Sequence, residues 1–189
     1  MKMTDAKLEL VDKFHIRKKG FTFISTGFYV YDDDDKPLLY VDIPDFKLVK
    51  QVHFYVDESK TARLFWVKQD KVIFATTAEY TLYIEGGQAI AKYRAELLEN
   101  ILLRNVKILT PGGDQMCSLV ESLKVGRLLA ELGGAEFTFV DGEETLGIFH
   151  SLTPKGNKYA LVDLKLELDR KLDVRIALGA VLILYGRLI

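Results

Sequence analysis

Asp173-Val-Arg-Ile-Ala-Leu-Gly-Ala-Val-Leu-Ile-Leu-Tyr-Gly-Arg-Leu-Ile189 closes a chain that is otherwise rich in strand patterns. Its uncharged stretch, Ile176 to Gly186, lies between Arg175 and Arg187. As a helix at about 1.5 Å per residue this stretch covers roughly 16 Å, about half of the ~30 Å hydrocarbon core of a bilayer. No transmembrane span is therefore expected. The stretch has no polar face either, and a helix that is apolar all round must be buried on every side. With the bilayer too thick for it, the protein itself has to surround it. A central helix over about 173–187 follows, with Ile176, Leu182 and Ile183 as bulk. Gly179 is then a point where the helix comes close to its wall.

Outward from the helix, the body of the chain repeats one form. Phe28-Tyr-Val-Tyr-Asp-Asp-Asp-Asp-Lys-Pro-Leu-Leu-Tyr-Val41 reads as strand, acidic turn, strand. The form returns from Val52 to Val67, from Tyr80 to Ile90, from Val106 through Gly112-Gly113, and from Phe137 to Ile148. Turns recur roughly every 25 to 30 residues, the length of a hairpin plus its connection. Gly86-Gly87, Gly112-Gly113 and Asp141-Gly142 provide the positive φ values that tight hairpin turns demand.

Alternation within the strands tells which face is buried. Val52, Phe54 and Val56 face one way, His53 and Tyr55 the other. Leu164, Leu166 and Leu168 alternate strictly with Asp163, Lys165, Glu167 and Asp169, the mark of a sheet wet on one side. Two segments break the pattern, Glu96–Leu103 and Val125–Leu132, and read as short helices. About ten to twelve antiparallel strands in one meander should close, because so long an open edge invites aggregation. A barrel of about twelve strands leaves a hole roughly a helix wide. The expected fold is thus mainly β: a closed antiparallel barrel of about twelve strands, built from hairpin repeats, enclosing the C-terminal hydrophobic helix. No linker or composition break divides the chain, so 1–189 reads as one domain.

Composition narrows the function classes. The 189 residues are 49% hydrophobic and 28% charged, a globular balance. A net charge of −1 argues against nucleic acid as a partner. Cys117 stands alone, which excludes an intramolecular disulfide and a cysteine metal cluster. The N-terminal Met-Lys-Met-Thr-Asp-Ala-Lys has no apolar signal region, and a cytoplasmic address is expected.

No catalytic motif stands out, and no cofactor is expected. The Asp32–Asp35 run reads as a solvated turn, since the spacing of a calcium loop does not follow it. Asp163, Glu167 and Asp169 read as the wet face of a strand. His15, His53 and His150 lie far apart, with no zinc-pair spacing. Cys117 reads as a strand cysteine with nothing nearby to lower its pKa. The basic residues Lys18, Lys19, Lys47, Lys50, Lys92 and Arg94 are the candidate anion- or headgroup-binding set. Against this stands the fact that Lys and Arg cover every soluble surface.

A hairpin-repeat barrel threaded by a C-terminal apolar helix resembles the tubby C-terminal-like superfamily, above all its small bacterial LURP-one-related and scramblase-like members. The resemblance rests on Tyr29–Val41, on Phe46-Lys-Leu48 entering Val52–Lys60, and on the ending Leu172–Ile183, which is similar to the terminal helix of phospholipid scramblases. It covers most of the chain from about Gly27. Tubby domains bind phosphoinositide headgroups, and scramblases are tied to lipid redistribution and calcium. The resemblance therefore implies a non-enzymatic binding module for anionic lipid headgroups or a protein partner, cytoplasmic and peripheral to a membrane. The alternatives are a scramblase-like lipid-redistributing protein, and a small-ligand-binding barrel or enzyme of unknown reaction. Scramblases place a carboxylate immediately ahead of the Leu-Asp-Val; here that position is Lys171. Their proline-rich N-terminal region and acylated cysteine cluster are also missing from the pattern.

Overall fold

Hairpin chemistry and strand alternation build one closed wall. The computed structural model describes residues 8, 10–19, 26–44, 50–74, 77–97, 104–121, 134–152 and 163–188. The strands are β1 (Lys13–Lys19), β2 (Thr26–Tyr31), β3 (Pro37–Ile43), β4 (Gln51–Tyr55), β5 (Arg63–Phe74) and β6 (Thr77–Ile84). They continue as β7 (Ala89–Leu97), β8 (Arg104–Leu109), β9 (Gln115–Glu121), β10 (Gly134–Asp141), β11 (Glu144–Leu152) and β12 (Asp163–Leu168). A helix, α1 (Val174–Leu188), follows. Each strand pairs with its sequence neighbours, and β1 pairs antiparallel with both β2 and β12, closing the ring. Closure leaves no edge to template aggregation.

Five hairpins, β2–β3, β4–β5, β6–β7, β8–β9 and β10–β11, are alike in detail. Each carries a register shift shortly before its turn, at Val30/Tyr31, Phe54/Tyr55, Leu82/Tyr83, Ile108/Leu109 and Phe139/Val140. Such bulges raise the local twist and bend the strand, which is what a sheet closing on itself requires. Each turn also holds a residue at positive φ: Asp35 (59°), Lys60 (57°), Gly87 (81°), Gly113 (105°) and Gly142 (59°). The first turn is closed by Asp32, whose side chain accepts the amides of Asp34 at 3.1 Å and Lys36 at 2.8 Å. The acidic run is thus a hairpin turn, as its composition suggests.

One expectation needs correction. Glu96 and Leu97 do not start a helix but extend β7, with Glu96 opposite Thr77 on β6 and Asn105 on β8. The inward alternation of Ala91, Tyr93 and Ala95 carries the ladder on, and pairing on both sides overrides the local helical spacing. Residues 98–103 and the expected helix Val125–Leu132 lie outside the described residues.

Inside the wall lies the helix. Every residue from Ile176 to Tyr185 is buried, nearly three full turns with no exposed side. Only a structure that surrounds the helix can do this, so α1 fills the lumen. Asp173 begins it: its carboxylate accepts the Arg175 amide at 2.9 Å and holds the Arg175 guanidinium at 2.6 Å. A carboxylate there satisfies a free N–H of the first turn and suits the positive end of the helix dipole. Around α1 stand the inward residues Phe28, Phe54, Phe65, Val67, Tyr80, Tyr93, Phe137 and Phe149, all buried. Tyr185 meets Phe28 edge-on with ring centres 5.9 Å apart.

The closest approach is at Gly179. The Tyr93 hydroxyl on β7 donates a hydrogen bond to the Ile176 carbonyl at 3.0 Å, inside the barrel. Burial keeps this phenol protonated, far above its ordinary range, so it remains a donor. A Cβ on Gly179 would meet Tyr93 Cζ at 3.1 Å and Val67 Cγ2 at 3.2 Å, with the Tyr93 hydroxyl closer still. The glycine is what lets helix and wall come together. No described helix is long and apolar enough to cross a membrane.

Candidate binding surface

With the lumen filled by the chain itself, chemistry is left to the outer wall and the barrel ends. The basic residues singled out from sequence do not gather there, so far as their side chains are among those described. Lys18 lies on β1 opposite Phe28, on the inward alternation of Phe14 and Ile16, and burial lowers its pKa. Lys92 and Arg94 lie on β7, six strands from β1 around a ring of twelve. Arg94 is committed to Glu79, which accepts its Nη2 at 2.7 Å and also takes Lys71 Nζ at 3.1 Å. That pairing holds the Glu79 carboxyl below its usual range. Lys50 is exposed just before β4, and Lys92 is exposed on its strand. Lys19 ends β1 through its backbone, and Lys47 lies outside the described residues.

The other candidates settle into structural roles. Cys117 is buried on β9, where burial pushes its thiol up to about 11, away from nucleophile chemistry at neutral pH. His15 faces Asp33 at 3.8 Å and His150 faces Glu136 at 3.4 Å, on strands far from His53. No three His, Cys, Asp or Glu side chains come together as a metal site among the described residues. Lys165 and Glu167 are exposed while Leu164 and Leu166 are buried, the alternation read from sequence.

What the sequence reading missed is an aromatic and cationic belt across the outside of β1–β6. Strand register builds it in two rows. Arg17, Tyr29, Tyr40, Tyr55 and Arg63 are successive cross-strand partners from β1 to β5. Asp42, His53, Trp66 and Tyr83 are partners from β3 to β6. The rings are ordered against each other: Tyr29 meets Tyr40 at 5.3 Å between centres, and Trp66 stacks on Tyr83 at 5.4 Å with planes 18° apart. On Trp66 lies the Arg63 guanidinium, 3.9 Å from the ring centre. Stacked planar groups of this kind lose little freedom when they bind a partner.

The β4–β5 turn folds back over the belt. Glu58 accepts the Tyr29 hydroxyl, and Lys60 reaches Asp42 on β3 at 2.9 Å, 5.8 Å above the Tyr40 ring. Lys60 does so from a left-handed backbone, an uncommon state for a residue with a side chain. His53 sits at the centre. Its Nε2 lies 2.9 Å from Gln51 Oε1 and its Nδ1 accepts from Arg63 Nη1 at 3.4 Å, which assigns the neutral tautomer protonated on Nε2. Burial first, then the Arg63 charge, lowers the His53 pKa; Asp42 opposes this and Lys60 adds to it. The signal was present in the sequence, because the positions alternating with the core face at His53, Tyr55, Trp66 and Tyr83 are aromatic where a merely wet face would carry charges and small polar groups.

Comparison of the chain with protein-family models, with curated proteins and with solved structures gives no match.

Proposed function

We propose that this protein is a non-enzymatic binding module of the tubby C-terminal-like kind, peripheral to a membrane in the cytoplasm, engaging an anionic lipid headgroup through its outer wall. The observation that carries this reading is the filled lumen. A barrel whose interior is taken along ten consecutive buried residues by its own helix leaves recognition to the outer wall and the barrel ends. The belt over β1–β6 supplies a fitting surface, with tyrosine, tryptophan and arginine ordered in advance of any partner. Aromatic rings with one apolar and one polar end suit a boundary between water and lipid.

Vesicle flotation tests the reading. The protein is expected to float with phosphatidylcholine vesicles containing phosphatidylserine at low salt, to float less as salt rises, and to stay behind with phosphatidylcholine alone. Salt shortens the reach of surface charges, from about 30 Å at 0.01 M to about 8 Å at 0.15 M. Absence of flotation with the anionic vesicles at low salt would remove the lipid reading and leave a protein as the partner.

A further inference from the structure

We infer that Arg63 and His53, flanked by Lys60, form a site for a tetrahedral oxyanion of the phosphate and sulfate class, and that the site closes on its ligand when His53 takes up a proton. This deepens the headgroup reading by giving it an address and a pH dependence, and it holds equally for a free anion.

Three observations lead to this site. Arg17, Arg94 and Arg175 each meet a carboxylate, at 2.8 Å, 2.7 Å and 2.6 Å, whereas Arg170, exposed in the turn before the helix, shares with Arg63 the lack of one among the described residues. Arg63, exposed on the outer wall, meets none among the described residues and lends an N–H to a neutral histidine nitrogen instead. Its plane is fixed by Trp66 at 3.9 Å, so its remaining N–H edge is held in a set direction, as planar recognition of an oxyanion requires. The third observation is the 3.4 Å between Arg63 Nη1 and His53 Nδ1. While His53 is neutral, one donates to the other. Once His53 is protonated both nitrogens are donors of positive charge and can no longer bond each other. An oxygen of an oxyanion accepts from both and removes the repulsion.

The charges facing His53 agree with this. Arg63 on β5 and Lys60 in the β4–β5 turn favour the neutral ring, whereas Asp42 on β3 favours the charged one. Tyr55 on β4 lies beside it with ring centres 6.1 Å apart. Asp42 is itself balanced by Lys60 at 2.9 Å, so the cluster keeps an excess of positive charge. In the free protein the ring therefore titrates below its ordinary range, and a bound dianion raises it. A pKa higher in the bound state means proton uptake on binding, so affinity rises as pH falls through the window between the free and bound values. An upward move of about one unit corresponds to about tenfold tighter binding at the acidic end.

Sulfate is the probe, because it stays a dianion across the range in which histidine titrates, about pH 5 to 8. The His53 ring is followed by NMR during pH titrations with and without sodium sulfate, ionic strength being matched with chloride. Sulfate is expected to raise the His53 pKa and to bind about tenfold more tightly near pH 5.5 than near pH 7.5. His53→Gln should bind with no pH dependence in that range, Arg63→Gln should lose the sulfate response, and Arg63→Lys should bind more weakly than the parent. An unchanged His53 titration in sulfate overturns the inference, as does a full response in Arg63→Gln.

Flotation of parent and Arg63→Gln with phosphatidylcholine vesicles containing phosphatidic acid separates the sources of the anion. A sulfate response with Arg63-dependent flotation assigns the site to a headgroup. A sulfate response without flotation keeps the site for a free anion and removes the membrane reading. Equal flotation of both proteins without a sulfate response keeps the membrane reading and removes this site.

Discussion

Truncation after Lys171 is expected to abolish soluble expression. The deletion removes Leu172, Val174, Ile176, Leu178, Val181, Leu182, Ile183 and Leu184, all buried, together with the partners of the inward rings Phe28 and Tyr93. Each large aliphatic side chain contributes roughly 1.5 to 3 kcal/mol on burial, against total stabilities of about 5 to 15 kcal/mol. Loss of the helix therefore exceeds the whole margin of the fold. The wall would also be left with an apolar inner face open to water and nothing to pack on it. Expression and size-exclusion of the truncated protein check this. A soluble product with an unchanged melting temperature would make the helix an external appendage.

Gly179→Leu should destabilise by more than the roughly 1 to 3 kcal/mol typical of methylenes forced into a packed core. Even the first added carbon meets Tyr93 Cζ at 3.1 Å and Val67 Cγ2 at 3.2 Å. Val67 sits on the paired strand β5 and Tyr93 on the paired strand β7, so the wall has little freedom to withdraw. To make room, the Tyr93 hydroxyl has to leave the Ile176 carbonyl, which strands a phenol in an apolar interior. Gly179→Ala should lose less, because one carbon displaces the phenol without filling the space beyond it. Propensity alone predicts that both variants gain stability over the parent, since Gly in a helix interior costs about 1 kcal/mol relative to Ala. Urea unfolding of the three proteins decides between the two, and equal or greater stability of Gly179→Leu would contradict the packing described.

The fold was legible because two periodicities speak at once. Strand alternation, as in Leu164 to Glu167, marks a wall with one dry face, and the apolar run from Ile176 to Gly186 needs a cavity as long as itself. Neither signal determines the barrel alone; together they leave little else to build. Gly179 was legible for the same reason, as a costly residue that only close packing explains. Helical spacing at Glu96–Leu97 misled because local pattern carries no knowledge of the ladder on either side.

The candidate surface was harder to read. The charges singled out in sequence, Lys18 on β1 and Lys92 with Arg94 on β7, are set by the ring on opposite sides. The belt is the converse, since its members are far apart in sequence and brought together only by register, Asp42 to His53 to Trp66 to Tyr83. Register in turn depends on irregularities at Phe54/Tyr55 between β4 and β5 and at Gln69/Lys71 between β5 and β6 that no sequence pattern announces. Composition of the outer positions was the one available clue.

Hydrogen exchange at the amides of Leu178 to Leu184 tests the central claim, that the helix is the core of the barrel. Groups enclosed by a closed wall can exchange only when the wall opens, so these amides should exchange at the free energy of global unfolding measured in urea. They should also remain among the slowest in the protein when vesicles are added. Exchange through openings far cheaper than global unfolding, with the strands still protected, would show a helix that leaves its barrel and would contradict an enclosed core.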